Sequence, residues 1–311
     1  MEHFVTLFDI GFLPQGMALH ASLLAQGEPF QLWVVCMDEP VEQALEKLGL
    51  EHLTVIPVRD VEARHPRLLD VKPGRGRGEY CWTMTSFSVE HVLHLRPDAV
   101  RVTYVDADVC LFGPASRILG EMDASGAHVL ITDHAFAPEY EQTGVAGRFC
   151  VQFVPFRNSP RGREILAWWQ DRCIEWCFAR VEDGKFGDQM YLDQWPLLWK
   201  DDVAILKDVA LTLAPWNVEF LLPRGAARGI YHFHTLRLFD GWAVNQWHSY
   251  RIGRRIGTSI YRPYLASLHR AKETLAQLGI EVPLPKAKSG FKVRYDRFWK
   301  VLKHIEGWAR I

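Results

Sequence analysis

Over the first sixty positions, apolar residues come in two alternating kinds of run. HFVTLF (3–8), QLWVVC (31–36) and the segment 53–58 are short, nearly continuous and rich in β-branched and aromatic side chains, which predicts buried strands. Between them, residues 17–24 and 41–48 space their apolar positions at helical intervals, and Pro14 stands where a helix first turn accepts it. The alternation predicts β-α-β-α-β units, that is, a parallel sheet flanked by helices with right-handed crossovers. LDVKPGRGRG (69–78) interrupts the pattern with glycines and three cations, Lys72, Arg75 and Arg77. A helix over 79–95 and a strand over 101–105 follow.

Further along, the pattern predicts a short helix at 118–122 and strands at 127–132 and 147–156. A long amphipathic helix follows at 160–178. Residues 184–193 form a polar turn leading into a helix that Pro196 would stop. Segments 203–206 and 230–237 read as strands. Beyond Trp247 the character changes to scattered arginines, a helix over 264–278 and a basic segment, 286–311, with eight Lys/Arg against two acids. Phe291, Tyr295, Phe298, Leu302, Ile305 and Trp308 recur there at helical spacing. The chain thus divides into an α/β unit at 1–247 and a helical, basic C-terminal extension at 248–311.

Composition changes this picture little. With 48% apolar and 23% charged residues the chain is an ordinary folded protein, and a net charge of −1 gives it no general attraction to nucleic acid. No run of about 18 apolar residues suggests a membrane-spanning helix. MEHFVTLFDIGFLPQG lacks signal-peptide form, so the expected location is cytoplasmic. Six cysteines without CxxC or zinc spacing read as buried reduced thiols. Eight of the twelve tryptophans lie between Trp168 and Trp247. Trp168, Trp169 and Trp176 fall at helical core positions, whereas Trp216 and Trp242 stand in loop-like contexts suited to stacking on sugar rings. Arg157-Asn158 reads as a turn.

The chemistry concentrates in Asp106-Ala107-Asp108, at the carboxyl end of the strand RVTYV. Two carboxylates one residue apart are costly to bury unless something positive pairs with them, and Mg²⁺ or Mn²⁺ suits such oxygen ligands. An acidic turn closing a strand is the plain alternative. Asp9 and Asp38 also follow strands, and in open α/β sheets ligands collect at those ends. His232 and His234 alternate on the late strand and so share one side of it. His134 is a further imidazole in a loop.

Taken together, VDADV, TLFDIGF, FGDQMYLD and YHFH resemble bacterial GT-A glycosyltransferases of the family 8 type, over about residues 3–245. The resemblance implies a Rossmann-like, mixed and mostly parallel sheet. It implies that Asp106, Asp108 and His232 ligate Mn²⁺ or Mg²⁺, with His234 as the fallback, and that Asp106 and Ala107 face the nucleotide. Asp9 takes the place of the family's base-recognising acid, with Gly11 where the family often has Asn. Gly187-Asp188-Gln189 matches the stretch beside the transferred sugar, making Asp188 and Gln189 the expected catalytic residues, with Met190 in place of a second acid. The family's Arg on the helix before the metal strand is absent from Cys81-Trp82-Thr83, so Lys72, Arg75 or Arg77 is expected to supply that charge. A helix cap is the structural alternative for Asp188.

The expected activity is metal-dependent transfer of a sugar from a nucleotide-diphosphate donor, UDP-linked, to a cell-envelope glycan or glycolipid, with retention. A sugar-1-phosphate nucleotidyltransferase should carry a Gly-rich, Arg/Lys-bearing loop after its first strand, which FDIGFLPQGMAL lacks. A non-catalytic glycan-binding protein would use the tryptophans but has little need of the acids. For 286–311 two readings stand: an amphipathic helix on the anionic inner face of the cytoplasmic membrane, or a helix docked on the protein.

Overall fold

The computed structural model describes residues 1–223, 226–288, 300 and 306–311. Its first half follows the hydrophobic pattern closely. Strands β1 (Glu2–Phe8), β2 (Phe30–Cys36), β3 (Leu53–Pro57) and β4 (Arg101–Val105) are parallel, in spatial order β3-β2-β1-β4. The helices Leu13–Leu24, Glu39–Leu48 and Arg77–Leu95 lie between them in sequence. β1 is buried on both faces. Val5 and Leu7 pack with Met84 and Phe87 of the Arg77–Leu95 helix, while Phe4 and Phe8 share the other core with Leu19 and Leu23.

β5 (Val109–Leu111) leaves this sheet, and the chain returns to it through β6 (Val129–Asp133), β7 (Phe149–Cys150), β8 (Phe153–Arg157) and β9 (Val203–Ile205). β8 is antiparallel to both β4 and β6, β7 is antiparallel to β6, and β9 is parallel to it. The sheet is therefore mixed and mostly parallel. The single strand expected over 147–156 is broken at Val151-Gln152: Phe149–Cys150 pairs with β6, whereas Phe153–Arg157 runs along β4 and meets β6 only at Phe156.

A second sheet joins β10 (Thr212–Leu213), β11 (Ile230–His232) and β5. Glycine makes this close association possible. A Cβ on Gly229 would lie 2.1 Å from the Leu211 carbonyl oxygen, and one on Gly113 would lie 1.9 Å from that of Arg228. The third sheet is the hairpin β12 (Arg237–Phe239) and β13 (Ala243–His248) with β14 (Glu306–Arg310) added antiparallel to β13.

Three expectations need correction. Pro196 does not stop a helix; it sits in the first turn of the short Trp195–Leu198 helix, where no intrahelical N–H is lost. Residues 189–193 form no regular α-helix, since Met190–Gln194 is a 3-10 turn. In the tail, 289–299 and 301–305 lie outside the described residues, as does most of the expected amphipathic helix, but Glu306–Arg310 is a strand. β13 offers it a row of backbone partners, and the Trp308 ring stacks 5.5 Å from Phe239.

The Arg262–Gln277 helix contributes Ala271 and Leu275 to the core that also holds Leu19 and Leu23. Trp169 is fully buried, as its helical position implies. Trp176 is nearly so although the helix ends at Glu175 and it is extended, and Trp168 is half-buried at the edge of the core that holds Trp169. All six cysteines are free thiols. Among the described residues, no helix is long and apolar enough to cross a membrane.

Candidate functional site

The Asp106-Ala107-Asp108 turn is where the main sheet hands the chain to the second sheet. The Asp106 N–H donates to the Gln152 carbonyl at 3.1 Å, at the break between β7 and β8, and the Val109 N–H returns to the Asp106 carbonyl at 3.1 Å. The Tyr104 hydroxyl donates to Asp106 Oδ1 at 2.9 Å. β5 then pairs with β11 in a register that sets His232 opposite Val109, and the Phe233 N–H donates to the Asp108 carbonyl at 2.9 Å. Two backbone ladders thus bring together side chains far apart in sequence. His232 Nε2 lies 3.2 Å from Asp108 Oδ1 and 3.8 Å from Asp106 Oδ2.

One ligand atom from each of Asp106, Asp108 and His232 falls within 4.8 Å of the others; His234 is not part of this group. Burial alone would raise the Asp108 carboxyl, but the neighbouring His232 imidazolium prevails and holds it at about 2. Asp106, pushed up chiefly by burial and further by Asp108, reaches about 7 despite His232. Burial would lower His232, yet Asp108 raises it well above the usual imidazole range. This is a charge-dense pocket in which one imidazole balances two acids. Two carboxylates and one imidazole make a donor set that a divalent cation fits.

His234 packs 5.5 Å from the His232 ring and 5.3 Å from Trp216; burial, then the His232 charge, lowers it to about 3. His134 is buried against Phe136, with Nδ1 3.2 Å from the Arg148 carbonyl. Trp216 is no exposed platform. It is buried, and its Nε1 donates to the His134 carbonyl at 2.7 Å. Trp242 lines a different cleft with Lys272.

A cleft of about 410 Å³ opens from the acidic turn along the carboxyl end of β1, lined by Asp9, Arg77, Trp82, Asp106, Ala107, Asp108 and Arg237 among others. Asp9 accepts the Gly11 N–H at 2.9 Å, and a Cβ on Gly11 would come within 3.1 Å of that carboxylate, so glycine suits the tight turn. Arg77 bridges Asp9 at 2.8 Å and Asp38 at 2.7 Å. Asp38 also caps the Glu39–Leu48 helix through the Val41 N–H.

Of the three loop cations, only Arg77 reaches this cleft. Lys72 is paired with Glu62 at 2.6 Å. Arg75 donates to the Cys173 and Ile174 carbonyls and lies 3.9 Å over the Phe178 ring. Both are drawn away by partners invisible in the local sequence. Arg237, by contrast, was not singled out from the sequence. It lines the cleft and its charge helps hold Asp108 low. The available signal was a cation five positions after His232, at the end of the same apolar run.

Asp188 is buried, and its carbonyl accepts Trp169 Nε1 at 2.9 Å. The 3-10 turn after it starts from Gln189 with no side-chain cap, so Asp188 does not serve as one. Burial, then the Asp106 charge, pushes its carboxyl up to about 8. Gln189 Nε2 donates to the Ala146 carbonyl at 2.7 Å. Arg157 pairs with Asp123, and Asn158 ties to the Pro97 and Ala99 carbonyls, so that turn is structural.

No protein-family model matches the chain. The uncharacterized protein YfnF of Bacillus subtilis (strain 168) is 30% identical over 261 residues, covering 79% of this chain and 85% of that protein. Among solved structures, the galactosyltransferase LgtC in complex with donor and acceptor sugar analogs matches with a TM-score of 0.53 at 13% identity, over 86% of this chain and 95% of its own. Mouse xyloside xylosyltransferase 1, in its apo form, matches with a TM-score of 0.51 at 14% identity, over 75% of this chain and 98% of its own. At such identities the likeness shows the fold, which is GT-A.

Proposed function

Since the chain belongs to the family of the Bacillus subtilis protein YfnF and has the GT-A fold, we propose that it is a glycosyltransferase using a UDP-linked sugar. The observation that carries this reading is the Asp106, Asp108 and His232 set opening into a cleft that also holds Asp9 and Arg77. The set would hold Mn²⁺ or Mg²⁺, which when bound supplies Lewis-acid charge to a departing diphosphate. Asp9, also lining the cleft, would accept a hydrogen bond from a base N–H once Arg77 yields. Arg77 and Arg237 are the cations available to phosphate oxygens, in the cleft but not fully buried. Asp188, buried next to the cleft with its carboxyl pushed up by burial and by Asp106, would lie beside the transferred sugar as the family resemblance implies. Gln189 steadies the same loop.

The acceptor in this reading is a cell-envelope glycan or glycolipid, and retention follows from the family resemblance. A nucleotidyltransferase is disfavoured because the Leu13–Leu24 helix after β1 carries no Lys or Arg. A role for the basic segment 286–311 on anionic membranes is tested by liposome flotation of the chain cut after Pro285; unchanged binding rejects it.

The activity itself is tested by release of UDP from UDP-glucose, UDP-galactose and related donors in the presence of Mn²⁺. Asp106→Ala and Asp108→Ala are each expected to lower turnover by at least ~100-fold, as loss of a charge-stabilising group does. Full turnover in either variant, or in excess EDTA, rejects the proposal.

A further inference from the structure

The cleft wall beside the acidic set is aromatic. Trp82 lines it together with Tyr104 and Phe12. It stands five residues beyond Arg77 on the Arg77–Leu95 helix, roughly 7 Å further along the axis at 1.5 Å per residue. Its six-membered ring packs on the backbone of Gly187: a Cβ there would lie 3.3 Å from Trp82 Cε3. Gly187 has a φ of 55°, which a larger residue adopts only with strain, and it directly precedes Asp188. Phe186 backs the indole at 6.0 Å. Trp82 therefore stands between the cleft and the loop that carries the buried acid.

Acids and cations both stand around this wall. Asp106 and Asp188 both act on Tyr104. Arg77 is shared by Asp9 and Asp38, and Arg237 lies toward Asp108. Among the described residues lining the cleft, these two are the only cations.

We propose that Trp82 is the platform for the transferred sugar ring, and that it selects a neutral hexosyl donor over a hexuronosyl one. This specificity rests on the glycosyltransferase reading above. The C–H-rich face of a pyranose packs on the electron-rich indole face. A hexuronate would bring its carboxylate against that electron-rich face.

The test is calorimetric titration with Mn²⁺ present, using UDP, UDP-glucose, UDP-galactose and their two hexuronates. At least one neutral donor is expected to bind about tenfold or more tightly than its hexuronate, the scale of one good aromatic contact. Trp82→Ala should erase most of that preference while leaving UDP affinity unchanged, and Trp82→Phe should retain it. Unchanged UDP affinity also shows that the variant has folded. Equal or tighter binding of the hexuronates, or a Trp82→Ala variant that keeps the full preference, overturns the proposal. Equal weakening of UDP and UDP-hexose by Trp82→Ala overturns it too, as does a preference lost in Trp82→Phe. Failure of UDP itself to bind the wild-type protein removes the underlying reading, and the specificity with it.

Discussion

Glu90 shows how strongly single side chains are tuned in this protein. Burial alone would raise its carboxyl, but hydrogen bonds from His65 at 2.7 Å and Arg64 at 2.8 Å prevail and hold it at about 2, against 4.5 for an ordinary glutamate. Its folded-state value lies below the unfolded one, so the stabilisation is fully present above pH 4.5 and is lost as pH falls toward 2. Glu90→Gln is expected to cost about 2 kcal/mol at pH 7, after discounting for partial solvent screening, and almost nothing near pH 2; urea unfolding across that range checks it. The same residue scale shows what a sequence can reveal of a site. Asp106 and Asp108 were legible because paired carboxylates at a strand end need a reason to be there, and His232 through its resemblance to the family's late His-aromatic pair. The strand expected over 230–237 ends at His232, so His234 does not share its side. Lys72, Arg75 and Arg77 look equivalent in the string, yet Glu62 and the Cys173 and Ile174 carbonyls claim the first two. Arg237 and Trp82 were missed as site residues because which way a short strand or a buried helix faces is settled by tertiary packing.

At the scale of elements, the site depends on the register between β5 and β11. That register sets His232 opposite Val109 and so beside Asp108. Gly229 permits it by letting β11 approach the Leu211 carbonyl, where a methyl group would lie at 2.1 Å. Gly229→Ala is expected to destabilise the fold by about 2–3 kcal/mol and to weaken Mn²⁺ binding, since the strand carrying His232 must shift. Gly120→Ala, in the Ser116–Ser125 helix with open space around it, should be neutral or stabilising by up to about 1 kcal/mol. Thermal melts and Mn²⁺ titration of both variants separate close packing from a general intolerance of alanine. The parallel half of the sheet was legible from alternating strand and helix patterns. The break at Val151-Gln152 was not, because nothing local says that Phe153–Arg157 turns to run along β4 while Phe149–Cys150 pairs with β6. That break supplies the Gln152 carbonyl that anchors Asp106.

At the scale of the whole molecule, residues beyond 247 complete the structure built before them. Leu275 shares a core with Leu19 and Leu23, β14 completes the β12–β13 hairpin sheet, and Lys272 donates to the Ile311 carbonyl at 2.6 Å. The change in composition after Trp247 marks a shift from sheet to helix with no matching gap in the core. Leu275→Ala is therefore expected to cost about 2–5 kcal/mol and to lower the midpoint of one cooperative transition. Two resolved transitions in scanning calorimetry, with only the later one moved, would show that the extension folds independently. The central claim concerns the Asp106, Asp108 and His232 set, and calorimetric titration of UDP tests it most directly. The account predicts one saturable site in the presence of Mn²⁺, lost in EDTA and in Asp108→Asn. Binding of UDP that is indifferent to both EDTA and Asp108→Asn contradicts it.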